Sequence, residues 1–232
     1  METQTISLVF FTRKNIRTQQ VAKQVLELFF TLGSEFAPES FDSGGKWKVV
    51  DKVVMGTVLK KWNSSNNFLM RRERPYQSEI AVSMGFFAFG FNTISIWVDQ
   101  KYFQVDTNVS TFLNFSNAIY DLIQPTYGSI HQTEDAIKML TVQDSHYGQT
   151  VVPIDLNKGL PTIYWANYFG PEYVEIMNRA KLLSTPCEEK RELSDRGVVL
   201  ITSPSPLLID HKRQEHIKAH LGKDLFFTWG QS

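Results

Sequence analysis

The stretch TIYWANYFGPEYVEIMNRAKLL, Thr162–Leu183, decides how this chain is read. Alternation over its first half puts Ile163, Trp165, Asn167 and Phe169 on one face of a strand and Tyr164, Ala166 and Tyr168 on the other. Rings stand on both faces, so the strand is expected to be covered on both sides. Gly170 breaks it without a Cβ clash, and Pro171 suits the first position of a helix, where its missing N–H costs nothing. Glu172 in the first turn favours the helix dipole. Tyr173, Ile176, Met177 and Ala180 then recur with helical spacing and predict the inward face. Asn167 is the exception among the rings. A polar amide there either holds a ligand or satisfies buried backbone groups.

Working outward, ISLVFF (Ile6–Phe11) reads as a strand. A helix follows, with Val21, Val25, Leu28 and Leu32 on one face and Gly33 closing it in a left-handed C-terminal cap. Ala37–Gly45 reads as a loop. In Trp47–Trp62, Val50, Val53, Val54 and Val58 recur with helical spacing, and the spacing predicts helix. Asn63–Asn67 is a turn. Strands are expected in SEIAVSMGFFAFGF (Ser78–Phe91), alternating through Ile80, Val82 and Met84, in TISIWV (Thr93–Val98) and in Tyr102–Val105, as an antiparallel meander. A helix with Phe112, Phe115, Ile119 and Leu122 on one face runs to Pro125. Beyond it come a short strand at Tyr127–Gln132, a short helix N-capped by Thr133, and an irregular segment to Gly159. The chain then continues with the quoted stretch, a hairpin turning near Ser194–Gly197, and a helix from Asp210 to Gly222. Strands in runs with helices beyond them argue for α+β, an antiparallel or mixed sheet with helices packed on it, arranged in one reading as two similar layers. Residues 1–232 are read as one α+β domain, with a subdivision near residue 125 (1–125 and 126–232) as the alternative.

Composition limits the function classes. The chain has 232 residues and 42% apolar content, enough for a sizeable core. Its 24 basic residues cancel its 24 acidic ones, so there is no global field to draw in nucleic acid or an anionic membrane, and neither is an expected partner. The single cysteine, Cys187, excludes an internal disulfide framework and fits a reducing compartment. The apolar run Ile6–Phe11 is too short for a signal-peptide core, and no run reaches the ~18 residues of a membrane span. A cytoplasmic protein is expected.

Tests for chemistry find little. There is no phosphate-binding glycine loop and no GxSxG elbow. His216 and His220 are four apart on a polar helix, with His211 upstream, but Ile217 stands where a zinc protease needs Glu. Glu188 and Glu189 follow Cys187 and oppose thiolate formation. Arg71, Arg72 and Arg74 form the one basic cluster, diluted by Glu73. No catalytic residue, metal or cofactor is expected. The alternative is a small enzyme with a pocket near Asn167 and His131, and Tyr127 beside them.

LNFSNAIYDLIQPTYGSIH, GLPTIYWANYFGPEYV, GVVLITSPSP and HIKAHLGKDLFF, in that order over residues 113–227, resemble the immunity protein 52 family and related immunity proteins of bacterial polymorphic toxin systems. The resemblance implies a cytoplasmic α+β protein that binds and neutralises a cognate toxin domain, with no catalytic motif. On that reading the contact surface is expected at the loop Val142–Lys158 and the aromatic strand end: Tyr164, Trp165, Asn167, His146 and Tyr147. The toxin's identity and the chain's oligomeric state are left open.

Overall fold

The computed structural model describes residues 4–50, 55–85, 89–144, 148–152 and 154–227. Its elements in chain order begin with β1 (Thr5–Thr12), α1 (Gln19–Leu32), β2 (Ser40–Asp42), β3 (Trp47–Val49), α2 (Met55–Ser64), β4 (Asn67–Arg72), β5 (Ser78–Ser83), β6 (Asn92–Asp99) and α3 (Asp106–Ile123). They continue with β7 (Tyr127–Gln132), α4 (Thr133–Leu140), β8 (Thr141–Asp144), β9 (Gly148–Val151), β10 (Ala166–Phe169), α5 (Pro171–Met177), α6 (Arg179–Leu183), β11 (Glu189–Glu192), β12 (Val198–Ile201) and α7 (His211–Leu221). Ten strands form one antiparallel sheet in the order β11-β12-β10-β7-β1-β6-β5-β4-β2-β3, and β8 and β9 form a separate hairpin. The fold is α+β. Strands of both chain halves lie side by side in the sheet and meet where β1 pairs with β7.

The period of two in the strands sorts the core. On one face Leu8, Ile96, Ile80, Met70, Phe41, Ile130 and Tyr168 lie in a single buried cluster with Val25 and Phe29 of α1, Trp62 of α2, and Phe112, Phe115 and Ile119 of α3. Helices cover that face along its length. On the other face Phe11, Tyr127, Phe169, Val198 and Leu200 join Tyr173, Val174 and Met177 of α5, Leu182 of α6, and Ile217 and Leu221 of α7. Helix α4 packs against β1 and β7. This second cover extends over only the β1–β12 side.

Several expectations are corrected. Residues Tyr102–Val105 are not a strand; Gln100–Gln104 is a 3-10 turn, capped by the Asp99 carboxylate on the Lys101 N–H (2.9 Å). A strand would point Tyr102 and Phe103 to opposite faces, whereas the turn drives both rings into one cluster. Trp47–Trp62 is not one helix. Trp47–Val49 pairs with β2, a residue run whose β-branched and aromatic side chains suit a ladder, and helix begins at Met55. Ala37–Gly45 likewise contains β2, and the irregular segment after α4 contains the β8–β9 hairpin.

Helix α1 buries Val21, Ala22, Val25, Leu26 and Phe29, leaving Leu32 exposed. Gly33 has φ −116°, so its absent side chain matters for space: a Cβ would lie 2.7 Å from the Phe36 ring. Thr133 is not a cap. Gln132 holds that position, and the Thr133 hydroxyl meets Thr5 Oγ1 (2.7 Å) and Ser7 Oγ (2.5 Å) on β1. The helix after the Gly170-Pro171 turn splits at Asn178 (φ 69°), whose Oδ1 accepts from the Ala180 N–H (2.9 Å) and starts α6. The inward face is therefore Tyr173, Val174, Met177 and Leu182, while Ile176 and Ala180 face out.

Candidate partner-binding surface

The aromatic strand end is interior. Tyr164, Trp165 and Asn167 are 4%, 2% and 0% exposed. Ahead of β10 the chain bends, and Asn167 clamps the bend. Its Oδ1 accepts from the Tyr164 N–H (3.0 Å) and from Tyr127 Oη (3.3 Å), while its Nδ2 donates to the Tyr164 carbonyl (3.0 Å). Of the two roles open to this amide, the structure shows it satisfying buried backbone groups. Trp165 Nε1 donates to the Ser203 carbonyl (2.8 Å) and ties the bend to the segment after β12. Gly170 is required by proximity, since a Cβ would lie 2.3 Å from the Pro125 carbonyl oxygen. His146 and Tyr147 lie outside the described residues.

Tyr127, His131 and Asn167, the set expected for an enzymatic pocket, do come together on the α5–α7 side of the sheet. Ser129 on β7 stands opposite Asn167 and 3.2 Å from His131 Nδ1, and the Tyr164 ring lies against the His131 imidazole at 4.4 Å. Burial lowers the His131 pKa to about 4 and pushes the Tyr127 and Tyr164 hydroxyls up. At neutral pH the cluster is uncharged. The Tyr164 hydroxyl has no hydrogen-bond partner among the described residues. The cavity beside His131 measures about 50 Å³, room for a water or two and an order of magnitude below a substrate-sized pocket. Chemically the cluster is a neutral polar core that fixes the bend, hydrogen-bonded through Asn167 and Ser129 and left unpartnered at the Tyr164 hydroxyl.

The surface that stands open is the other half of the same sheet face. The ladder registers place Ser7, Trp97, Glu79, Arg71, Ser40 and Val49 in one row across β1, β6, β5, β4, β2 and β3. Val9, Ser95, Ala81 and Leu69 form the next row. All of them point away from α1, α2 and α3, because their strand neighbours Ile96, Ile80, Met70 and Phe41 point toward those helices. The β1 ends of both rows are covered, Ser7 by Thr133 of α4 and Val9 by the α5–α7 cluster, so the open part begins at β6. No described helix packs on β4, β5 or β6 from this side. Arg71 lies over the Trp47 ring at 4.1 Å and pairs with Glu73 (3.2 Å). Arg72 pairs with Glu39 (3.4 Å) and donates to the carbonyls of Ser34 (3.1 Å), Ala37 (3.0 Å) and Arg74. Two members of the basic cluster are thus neutralised locally, which weakens a phosphate-binding reading. Periodicity could have found this face: in SEIAVS and NTISIWVD the residues between the large apolar ones are Glu79, Ala81, Ser83, Thr93, Ser95, Trp97 and Asp99, mostly polar.

Two of the three candidate histidines of α7 make side-chain contacts. His220 Nε2 lies 3.0 Å from the Lys181 carbonyl oxygen and 3.3 Å from Ser184 Oγ, and His211 Nδ1 lies 3.2 Å from Gln214 Oε1. Burial raises the Cys187 thiol pKa. Among the described residues no helix is long and apolar enough to cross a membrane.

No protein-family model and no curated protein matches the chain. A solved structure described as Pseudomonas aeruginosa T6SS protein PA0821 is similar, with a TM-score of 0.64 over 96% of this chain and 73% of that one, at 11% sequence identity. At that identity the likeness shows a shared fold.

Proposed function

We propose that this chain is an immunity-type protein that binds and neutralises a bacterial toxin domain, and that the helix-free half of its sheet is the binding face. The observation that carries this is the pair of open rows described above. A sheet normally buries both faces under other layers or turns a polar face to water. This one presents Trp97, Trp47 and Leu69 among charged residues, and aromatic and Arg side chains of that kind are enriched where proteins meet. Two further points support the reading: the family resemblance over residues 113–227, and a fold shared with a protein of a type VI secretion system (T6SS). The protein acts in the cytoplasm as one unit and meets its partner over a standard interface of roughly 1,200–2,000 Å² in total.

The test is co-expression with the toxin domain encoded beside its gene. Growth is expected to be restored and the two proteins to co-purify, and Leu69→Asp, on the open face, is expected to abolish both while leaving the chain folded. Persisting toxicity with both proteins well expressed ends the reading for that pair.

A further inference from the structure

A groove of about 490 Å³ crosses the end of the open half, with Arg71, Arg72, Glu73, Glu79 and Trp97 among the residues that line it. Its ion pairs are unevenly distributed. Arg71 and Glu79 stand directly opposite each other on β4 and β5, where opposite charges ordinarily pair. Arg71 turns instead to the Glu73 carboxylate and the Trp47 indole. Arg72 is held by Glu39 and three backbone carbonyls. Both guanidinium groups that line the groove therefore already have a carboxylate partner, although Arg71 Nε makes no hydrogen bond to a described residue, and Glu79 is exposed, with no ion pair to any described residue. Arg74 does not line the groove. On its other side Glu79 stands directly opposite Trp97 of β6, whose indole is half-buried.

A carboxylate beside an indole offers a guanidinium two contacts at once: paired charge-assisted hydrogen bonds and a ring face that attracts the cation. The chain uses that combination once internally, where Arg71 has Glu73 as its carboxylate and Trp47 as its ring. Glu79 and Trp97 repeat the pair. An ammonium, compact and strongly hydrated, gains less from a flat ring and a fork-shaped acceptor than a planar guanidinium does. We infer that this groove receives an arginine side chain of the partner protein, stacked on Trp97 and bonded to Glu79. The inference rests on the reading of the chain as a partner-binding protein, and it specifies where and by what chemistry the partner is gripped.

Two arms test it with the full chain. In the first, N-acetyl-arginine amide and N-acetyl-lysine amide are each titrated to tens of millimolar against the ¹⁵N-labelled protein, following the Trp97 indole N–H resonance assigned through Trp97→Phe. The arginine amide is expected to move it, the lysine amide to move it less, and Glu79→Gln to remove the response. No movement, or equal movement with both, overturns the inference. In the second, binding of the toxin domain encoded beside the gene is measured for wild type and Glu79→Gln, with thermal melting as the control for folding. Glu79→Gln is expected to weaken binding about tenfold or more at an unchanged melting temperature. Equal affinity overturns the inference whatever the first arm shows. A wild-type chain that binds no toxin yet gives the arginine response keeps the arginine site and removes the immunity reading.

Discussion

Tyr127, Asn167, Phe169, Val198 and Leu200, to one side of β1, lie beneath α5, α6 and α7; Trp97, Glu79, Arg71 and Leu69, to the other side, lie beneath no described helix. Both sets belong to one face of one sheet. Under the helices polar groups depend on protein partners: the Asn167 amide bonds to Tyr164 and Tyr127, and the Tyr164 hydroxyl has none among the described residues. In the open half water satisfies what the protein does not, so Glu79 stands without an ion pair to any described residue at little cost. The sealed half therefore carries stability and the open half is available for recognition. A substitution in one should move a quantity that a substitution in the other leaves alone.

The largest effect is expected from Trp165→Ala. It removes a fully enclosed indole and its bond to Ser203, and should cost about 4 kcal/mol. Chemical denaturation measures it; a loss under about 1 kcal/mol would show that the bend is not a stability element. Asn167→Ala comes next, at about 3 kcal/mol, because the Tyr164 N–H and carbonyl lose their partner inside the protein.

The pH dependence gives a third check. The unfolded chain binds a proton at His131 near the ordinary 6.5, and the folded chain only near 4, because burial disfavours the imidazolium. Stability is thus full above pH 6.5 and falls by up to about 3 kcal/mol as the pH drops toward 4, below which this residue adds no further slope. Equilibrium unfolding across that range should show the slope, and His131→Gln should flatten it. The smallest effect on stability, within about 0.5 kcal/mol, is expected for Glu79→Gln in the open half. If that change unfolds the protein while Asn167→Ala does not, the contrast between the halves is broken.

Local chemistry made much of this legible. The Gly170-Pro171 turn, the Phe112, Phe115 and Ile119 face of α3 and the hairpin at Ser194–Gly197 follow from short-range rules that the tertiary structure leaves intact. The strand before the turn survives only as Ala166–Phe169: the chain bends ahead of it, and Trp165 enters the opposite cluster from Ile163 and Phe169. The rules fail where packing chooses between near-equal local states. Tyr102 and Phe103 look like a strand until both are needed in one core, and Trp47–Val49 looks helical until β2 offers a ladder. The residues singled out on the aromatic stretch illustrate the same limit. Rings beside an amide look alike in a sequence whether they line a surface or a core, and only tertiary packing shows Tyr164, Trp165 and Asn167 to be interior, with Trp165 in the cluster of α1 to α3.

The amino-acid order by itself determined that this chain folds as α+β, where the strand turns into helix at Gly170-Pro171, and that its charges balance, because periodicity, breakers and composition act within a few residues of chain. Only the tertiary structure decided which half of the sheet is sealed, that Arg71 turns away from Glu79, and that Asn167 is a clamp. Those outcomes depend on strand register and helix placement between residues far apart in sequence, and no local pattern encodes them.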